Sequence, residues 1–145
     1  GRACIYDSRG RILLLRRSEH NSRNVGLWEC PGGKLKHGET IEEALTRELQ
    51  QETGIYADPI SYFTKTSEYT ISDGKYKGQL YQSHFAFIRI EEQPIYLQKE
   101  HSDYIWTSYN QAMDYELTED TKMALSQLPY FLDLTDAHIS QDELS

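Results

Sequence analysis

The sequence predicts a single α/β domain, and three observations support this fold class. The 145 residues include 38% hydrophobic residues, which is enough to build one buried core. The chain contains both segments with the residue types of β-strands and segments whose apolar residues recur at helical spacing. No repeat or linker interrupts this pattern, so residues 1–134 are the predicted domain and the polar, acidic residues 135–145 a flexible tail.

The composition excludes several classes of function. A formal net charge of −8 without a basic face argues against a nucleic-acid polymer as a partner. No apolar run approaches the length of a membrane span and no signal peptide opens the chain, so we expect no membrane partner. Cys4 and Cys30 are too few for a disulfide framework, which favours the reducing cytoplasm. Because Gly1 is not an initiator methionine, whether residues are missing upstream stays open.

The first predicted elements form a β-hairpin. Ala3 to Asp7 has the residue types of a short strand, residues 8–10 are typical of a turn, and Arg11 to Arg16 is the returning strand. The hairpin ends in two basic residues, Arg16 and Arg17. These side chains either contact phosphates of a substrate or mark the exposed end of the strand.

A glycine turn and a capped helix follow. Pro31-Gly32-Gly33 cannot continue a helix or a strand, so we expect a backbone turn that allows close approach. Thr40 is placed to cap a helix, with Glu43 three residues later, and Gly54 has the position of a left-handed C-terminal cap. The apolar residues between these caps share one helical face: Ile41, Ala44, Leu45 and Leu49.

Two glutamates of this helix indicate a metal site. Glu48 and Glu52 are one turn apart on the same face, where two carboxylates repel each other unless a cation lies between them. Oxygen ligands suit Mg²⁺ or Mn²⁺, ions that also bind substrate phosphates. The alternative is a solvated helical face, which is our interpretation of Glu42 and Glu43.

The second half of the chain predicts a hairpin and two more helices. Phe63 to Ser72 and Gln79 to Ile90 are rich in Thr, Tyr, Phe and Ile, as strands are, and residues 73–78 supply the turn. Tyr130 to Leu134 is an apolar segment that we expect to pack back on the domain. Three elements lie between these segments: a short strand at Trp106, a helix capped by Ser108, and a last helix capped by Thr118 that continues to about Gln127.

The stretch WECPGGKLKHGETIEEALTRELQQETGI, residues 28–55, resembles the Nudix box. That motif is G-x5-E-x7-R-E-U-x-E-E-x-G-U, with U aliphatic, and here it begins at Gly33 and ends at Ile55. Gln51 departs from it, because the family usually has a glutamate there. The likeness covers Ala3 to about Gln127. It implies a Nudix-type α/β/α sandwich with a mixed central sheet, and a MutT-like hydrolase of nucleoside diphosphates linked to another moiety.

The resemblance also implies roles for individual residues. Mg²⁺, which Mn²⁺ can replace, would be held by the carbonyl of Gly32 and by Glu48 and Glu52, with Arg47 positioning the glutamates. Glu100, in a loop before the strand at Trp106, is either a metal ligand or the general base, or else a surface acid. His101 is not expected to be a ligand, since hard cations prefer oxygen. The remaining site residues are Arg16, Arg17 and Lys34 for substrate, and Gly33, Glu39, Gln51 and Gly54 in support of the box.

Three functions stay open at this stage. The first is a metal-dependent pyrophosphohydrolase, acting on a free or oxidised nucleoside triphosphate, with ADP-ribose or a dinucleoside polyphosphate next. The second is a nucleotide-binding or sensing module with weak catalysis, because an amide at Gln51 coordinates Mg²⁺ without charge. The third is a prenyl diphosphate isomerase that would use Cys4 or Cys30. A homodimer is compatible with the family, but the sequence does not decide it.

Overall fold

The computed structural model describes residues 1–57, 63–70, 72 and 74–129. For residues 63–69 and 81–83 only the backbone is described. The apolar segment at residues 130–134 and the tail at residues 135–145 lie outside the described residues. In the part of the chain that is described, no helix has the length and apolar character that a membrane span requires.

The described residues contain six strands and three helices. Five of the strands and the three helices occur in the order that the sequence predicts, and where the sequence predicts both ends of a strand these differ from the observed ends by at most two residues. The two-residue strand at Trp28–Glu29 was not predicted. The elements are β1 (Arg2–Tyr6), β2 (Ile12–Arg17), β3 (Trp28–Glu29), α1 (Ile41–Thr53), β4 (Phe63–Thr70), β5 (Leu80–Arg89), β6 (His101–Thr107), α2 (Tyr109–Ala112) and α3 (Glu119–Ser126).

The six strands form one mixed sheet. Its order is β3-β2-β1-β5-β4, and β6 pairs with β2 along the length of that strand. β1 and β5 are parallel, whereas the other pairs are antiparallel. One edge of β2 is occupied by β6. The other edge is therefore shared by two strands: β1 pairs at Ile12, and β3 pairs at Leu15 and Arg16.

Helices cover both faces of the sheet, so the predicted α/β/α sandwich is confirmed. Side chains that alternate along β1 and β2 point to opposite faces, as the pleat of a strand requires. One layer packs against α1 and the other against α2 and α3. The first contains Ala3, Ile5, Leu13, Leu15, Leu45, Leu49, Ile55, Ala86 and Ile88; the second contains Cys4, Tyr6, Ile12, Leu14, Cys30, Phe87, Ala112, Leu117 and Leu125.

The caps of α1 are those that the sequence predicts. The hydroxyl of Thr40 accepts a hydrogen bond of 3.1 Å from the backbone N–H of Glu43. Gly54 ends the helix at φ 75°, and its N–H donates to the carbonyl of Gln50 at 2.9 Å. These caps fix the start and the end of α1, and therefore which side chains face the turn at Gly32.

The two later helices differ in how they begin. Ser108 caps α2 as predicted, accepting a hydrogen bond of 3.3 Å from the N–H of Gln111. Thr118 occupies the N-cap position of α3, but its hydroxyl makes no capping hydrogen bond. It donates instead to Oδ1 of Asp120 at 2.7 Å. The hydroxyl of Thr118 thus positions the carboxylate of Asp120 and does not cap the helix.

Both cysteines are free thiols in the layer beneath α2 and α3. Each is fully buried. The hydrogen bond with Cys30 and burial raise the pKa of the Cys4 thiol well above its ordinary value. Both sulfurs therefore lack the exposure, and Cys4 also lacks the thiolate character, that a catalytic cysteine needs.

Candidate active site

A cleft of about 780 Å³ opens at the end of the sheet where the start of β1, the end of β2 and the start of β6 meet the glycine turn. The turn and α1 form one wall. The residues before β6 form another. The lining residues are Arg2, Arg17, Asn21, Glu29, Gly32, Gly33, Glu48, Gln51, Glu52, Gln98, Lys99, Glu100 and His101.

The glycine turn lies in close contact with its surroundings, as its sequence predicts. A Cβ atom on Gly32 would be 2.1 Å from the carbonyl oxygen of Gly1. A Cβ atom on Gly33 would be 2.6 Å from Cδ of Glu48. The N–H of Gly32 donates a hydrogen bond of 2.8 Å to Oε1 of Glu52. Glu48 and Glu52, the two glutamates predicted from the sequence, therefore lie directly against this turn, and at Gly32 the backbone leaves no room for a side chain.

Arg47 holds one of these glutamates through a planar fork. Its Nε donates to Oε2 of Glu39 at 2.8 Å, and its Nη1 donates to Oε1 of Glu48 at 2.7 Å. Glu39 also accepts the N–H of Lys36 at 2.7 Å, and the hydrogen bonds from Arg47 and Lys36 lower the pKa of that carboxyl to about 2. Arg47 thus contacts Glu48, one of the two glutamates that it was predicted to position, together with Glu39, whereas Glu52 accepts its hydrogen bond from Gly32.

Glu52 is largely buried, and its burial outweighs the nearby positive charge. Its side chain is only 14% exposed, and burial raises the pKa of Glu52 to about 8, against the hydrogen bond from Gly32 and the charge of Arg2. Four carboxylates line the cleft, whereas its cations are two arginines and one lysine. An added cation would therefore be stabilised here, and the donor set fits the metal ion that the sequence predicts.

Glu29 and His101 form a buried pair at the floor of the cleft. Nε2 of His101 is 2.8 Å from Oε2 of Glu29, and both side chains are 2% exposed. Glu29 also pairs with Arg2 at 3.3 Å and Arg17 at 3.1 Å. Burial opposes ionisation of Glu29, but the hydrogen bond with His101 and the charges of Arg2 and Arg17 outweigh it and lower its pKa. Nδ1 of His101 is 3.7 Å from Oε2 of Glu52.

Sequence reasoning gave no role to Glu29 and excluded His101 as a ligand. Glu29 lies between Trp28 and Cys30, just before the glycine turn. A charged residue between two apolar ones at this place was the sequence signal that could have indicated a functional role. His101 follows Glu100 directly, and its burial was not evident from the sequence. In the structure, one carboxylate oxygen of Glu29, one carboxylate oxygen of Glu52 and one ring nitrogen of His101 all lie within 4.8 Å of one another.

The other predicted site residues fall in different places. Glu100 and Gln51 are exposed and line the cleft, and Gln51 accepts a weak hydrogen bond of 3.4 Å from Arg47. Arg17 lines the cleft but is paired with Glu29. Arg16 lines a neighbouring pocket of about 420 Å³. Lys34 is exposed, and its backbone carbonyl accepts a hydrogen bond from Arg47 at 3.2 Å.

The family of the chain follows from comparison with known proteins. A sequence model described as the NUDIX domain matches residues 2–128. The chain belongs to the NUDIX domain family. It is therefore a Nudix hydrolase, an enzyme of the pyrophosphohydrolase class. The glycine turn, α1 and Arg47 of this Nudix domain are the elements that carry the box.

Two curated relatives share most of the length of this Nudix domain. Nucleoside triphosphatase NudI of Klebsiella pneumoniae is 27% identical over 129 residues, which are 85% of this chain and 91% of the relative. Nucleoside triphosphatase NudI of Escherichia coli O139:H28 is 28% identical over 127 residues, or 83% and 89% of the two chains.

Solved structures confirm the Nudix fold. The NUDIX domain of Shewanella oneidensis NrtR, complexed with ADP ribose, has a TM-score of 0.74 and 20% identity and covers 90% of this chain and 85% of its own. The E. coli ORF135 protein has a TM-score of 0.66 and 25% identity, covering 92% and 89%. A bifunctional NMN adenylyltransferase/ADP ribose pyrophosphatase from Francisella tularensis, with AMP and a manganese ion, has a TM-score of 0.68 and 23% identity, covering 94% and 41%.

Proposed function

We propose that this Nudix hydrolase cleaves a pyrophosphate bond in a nucleoside diphosphate linked to another moiety. A free or oxidised nucleoside triphosphate is the first candidate substrate, followed by ADP-ribose and dinucleoside polyphosphates. The observation that carries the proposal is that Glu48 and Glu52, one turn apart on α1, line the same cleft as the glycine turn at Gly32. Such paired carboxylates in an open cleft suit metal-assisted hydrolysis.

The comparisons support this order of substrates. The relatives from Klebsiella pneumoniae and Escherichia coli are nucleoside triphosphatases and match over most of their length. Two proteins of the same fold bind ADP ribose or act as an ADP ribose pyrophosphatase. The identity to the triphosphatases is higher than the identity to the proteins linked to ADP ribose, so triphosphates come first.

We assign the Mg²⁺ site, which Mn²⁺ can also fill, to Glu48, Glu52, Glu100 and the carbonyl of Gly32. The carboxylate-rich cleft supports this assignment, because a cation would offset the repulsion between the glutamates that line it. When bound, the ion neutralises substrate phosphates and lowers the pKa of water.

The side chains of this protein have separate tasks in the proposed reaction. Arg47 fixes Glu48 by its hydrogen bond of 2.7 Å, and the N–H of Gly32 fixes Glu52 at 2.8 Å. Glu100, exposed across the cleft from α1, either joins the metal ligands or takes the proton of the attacking water. Arg16, Arg17 and Lys34 are proposed to contact the phosphates.

The test is a substrate panel with a matched pair of variants. Release of phosphate and pyrophosphate is measured from nucleoside triphosphates, ADP-ribose and dinucleoside polyphosphates with Mg²⁺ or Mn²⁺. E52Q removes a carboxylate that the proposed metal ion needs as a ligand and should lower turnover by about 10²–10³. E43Q removes an exposed charge from the first turn of α1 and should leave turnover unchanged. Equal turnover in E52Q and the unaltered enzyme would overturn the assignment.

A nucleotide-binding role with weak catalysis is the second candidate. Gln51 favours it, because this side chain lines the cleft at a box position and carries no charge. In that case the nucleotide would bind tightly, but no product would form over hours at high Mg²⁺. The same panel separates the two functions when binding is measured beside product release.

The proposal also includes the boundaries of the domain, its cellular location and its partner. We propose that residues 1–134 form the functional unit, which agrees with the family match over residues 2–128. The two free cysteines support a reducing location such as the cytoplasm. The partner is proposed to be a small nucleotide, since the net charge of −8 disfavours a nucleic-acid polymer.

A further inference from the structure

His101 has a buried ring nitrogen for which the described residues provide no hydrogen bond. The side chain is 2% exposed, and Nδ1 has no hydrogen-bond partner among the described residues. The nearby polar atom is Oε2 of Glu52 at 3.7 Å, which is beyond hydrogen-bonding distance. A buried polar nitrogen without a partner is costly, so its position calls for a ligand.

The partners of Glu29 determine which nitrogen carries the proton. Glu29 accepts hydrogen bonds from Arg17 and pairs with Arg2, so it is held as a carboxylate, which can only accept. Nε2 of His101, 2.8 Å from Oε2 of Glu29, is therefore the nitrogen that donates. In the neutral imidazole this leaves a lone pair on Nδ1, directed toward Glu52. A carboxylate behind a histidine is the usual arrangement behind a metal-ligating imidazole.

Glu52 presents the complementary oxygen. Its Oε1 is occupied by the N–H of Gly32 at 2.8 Å, which leaves Oε2 facing the ring. Two ligand atoms that each lie about 2.1 Å from the same ion are separated by about 3.0–3.4 Å, when the ligand–ion–ligand angle is between a right angle and the tetrahedral angle. The observed 3.7 Å is within a few tenths of an ångström of that range, so a rotation of one side chain suffices.

We propose that Nδ1 of His101 is a direct ligand of the ion held by Glu52, so that the site prefers first-row transition ions to Mg²⁺. This inference rests on the proposed function for the existence of the metal centre. Glu29 is a positioning residue, which acts by orienting the imidazole. Imidazole nitrogen binds transition ions well, whereas Mg²⁺ prefers oxygen, so one nitrogen among carboxylates shifts selectivity away from Mg²⁺.

The direct test is pulsed electron paramagnetic resonance of the full protein with one equivalent of Mn²⁺. A coordinated imidazole gives a ¹⁴N coupling to the manganese, and labelling the protein with ¹⁵N-histidine should change that coupling. The unaltered protein suffices for this measurement, so it does not depend on the folding of any variant. Bound Mn²⁺ without nitrogen coupling overturns the inference, and so does a protein that binds no Mn²⁺.

Variants then assign the nitrogen. H101Q offers an oxygen where the imidazole nitrogen was, so the coupling should disappear and the affinity for Mn²⁺ relative to Mg²⁺ should fall by about tenfold or more. E29Q should weaken Mn²⁺ binding by about 10–100-fold, because the ring loses its orienting carboxylate. H37Q changes an exposed histidine before α1 and should keep the coupling. A coupling that persists in H101Q, or that disappears in H37Q, contradicts the assignment to His101.

An ion pair between Glu52 and a protonated His101 is the competing interpretation. It predicts no nitrogen coupling, and Mn²⁺ binding that is equal or tighter in H101Q than in the unaltered protein. Either result overturns the inference and leaves the proposed hydrolysis intact, provided that turnover with Mg²⁺ is observed. Absence of turnover on every substrate in the panel would instead count against the proposed function.

Discussion

Nε of Arg2 donates a hydrogen bond of 2.7 Å to Oδ2 of Asp120, which joins β1 to α3 across 118 positions of sequence. The same guanidinium donates to the carbonyl of Cys30 at 3.0 Å and pairs with Glu29 at 3.3 Å. Asp120 therefore positions Arg2, which lines the cleft and pairs with Glu29 at its floor. Burial opposes ionisation of Asp120, but the charge of Arg2 and hydrogen bonds from Arg2 and Thr118 outweigh it and lower its pKa.

The Asp120 pair should make stability depend on acidic pH. A carboxyl with a lowered pKa in the folded state stabilises the protein above its ordinary value of 3.8, and this contribution is lost as the pH falls below that value. D120N should therefore lower the free energy of unfolding at pH 7 by about 1–2 kcal/mol. Urea unfolding at pH 7 and at pH 3 measures this, and the difference between the two proteins should shrink at pH 3. D114N, at an exposed aspartate after α2, is the control and should change little.

The two glycines of the turn should respond differently to alanine. A Cβ at position 32 meets the backbone of Gly1 at 2.1 Å, which cannot move without shifting β1, so G32A should lower the melting temperature by several degrees. A Cβ at position 33 meets the end of the Glu48 side chain, which can rotate away. G33A should therefore keep the fold and lose about tenfold to a hundredfold in turnover, because Glu48 is displaced. Thermal melts and initial rates separate the two outcomes; wild-type activity in G33A would contradict the role of Glu48.

Restoring the charge at position 51 should lower the metal requirement. Gln51 lines the cleft, so Q51E adds a negative charge beside the proposed metal site. The Mg²⁺ concentration for half-maximal rate should fall by about tenfold, since a unit charge a few ångströms from a divalent ion contributes on the order of 1–2 kcal/mol. Q50E adds the same charge at the neighbouring exposed position of α1, outside the lining of the cleft. An equal response in Q50E would show that net charge, and not the site, is responsible.

Replacing Arg47 with lysine should affect activity more than stability. Arg47 reaches Glu39 and Glu48 at the same time through separate nitrogens, whereas a lysine amine is a single point charge. R47K should lower turnover or metal affinity by about 10–100-fold, as is usual when a residue that positions metal ligands is lost. The melting temperature should change little, because this ion-pair network is close to solvent. R9K, at an exposed arginine of the first turn, is the matched control and should retain full rate.

Features that depend on neighbouring residues in sequence were predictable. The caps at Thr40 and Gly54 and the face shared by Glu48 and Glu52 follow from local backbone preferences, and the structure has all three. Thr118 also begins the last helix where the sequence predicts, but its hydroxyl donates to Asp120, two residues later, and makes no capping hydrogen bond. Local patterns specify an element and its ends, but not the partner that a side chain finds.

The Glu29–His101 pair required knowledge of the sheet. β3 and β6 lie on opposite edges of β2, with Glu29 opposite Leu15 and His101 opposite Arg17. A register shift between Arg16 and Arg17 sets the second of these pairings. The two residues are 72 positions apart, and no periodicity in either segment specifies which strand flanks which. The pair could therefore not be read from the sequence.

The burial of Cys4 and Cys30 provides a measure of how often the core opens. Both sulfurs have no exposed surface, and both lie where the layer under α2 and α3 meets the segment leading to the glycine turn. A thiol reagent can reach them only in molecules whose core has separated locally or globally. The rate of alkylation in the native protein would thus report the free energy of that opening, without any added probe.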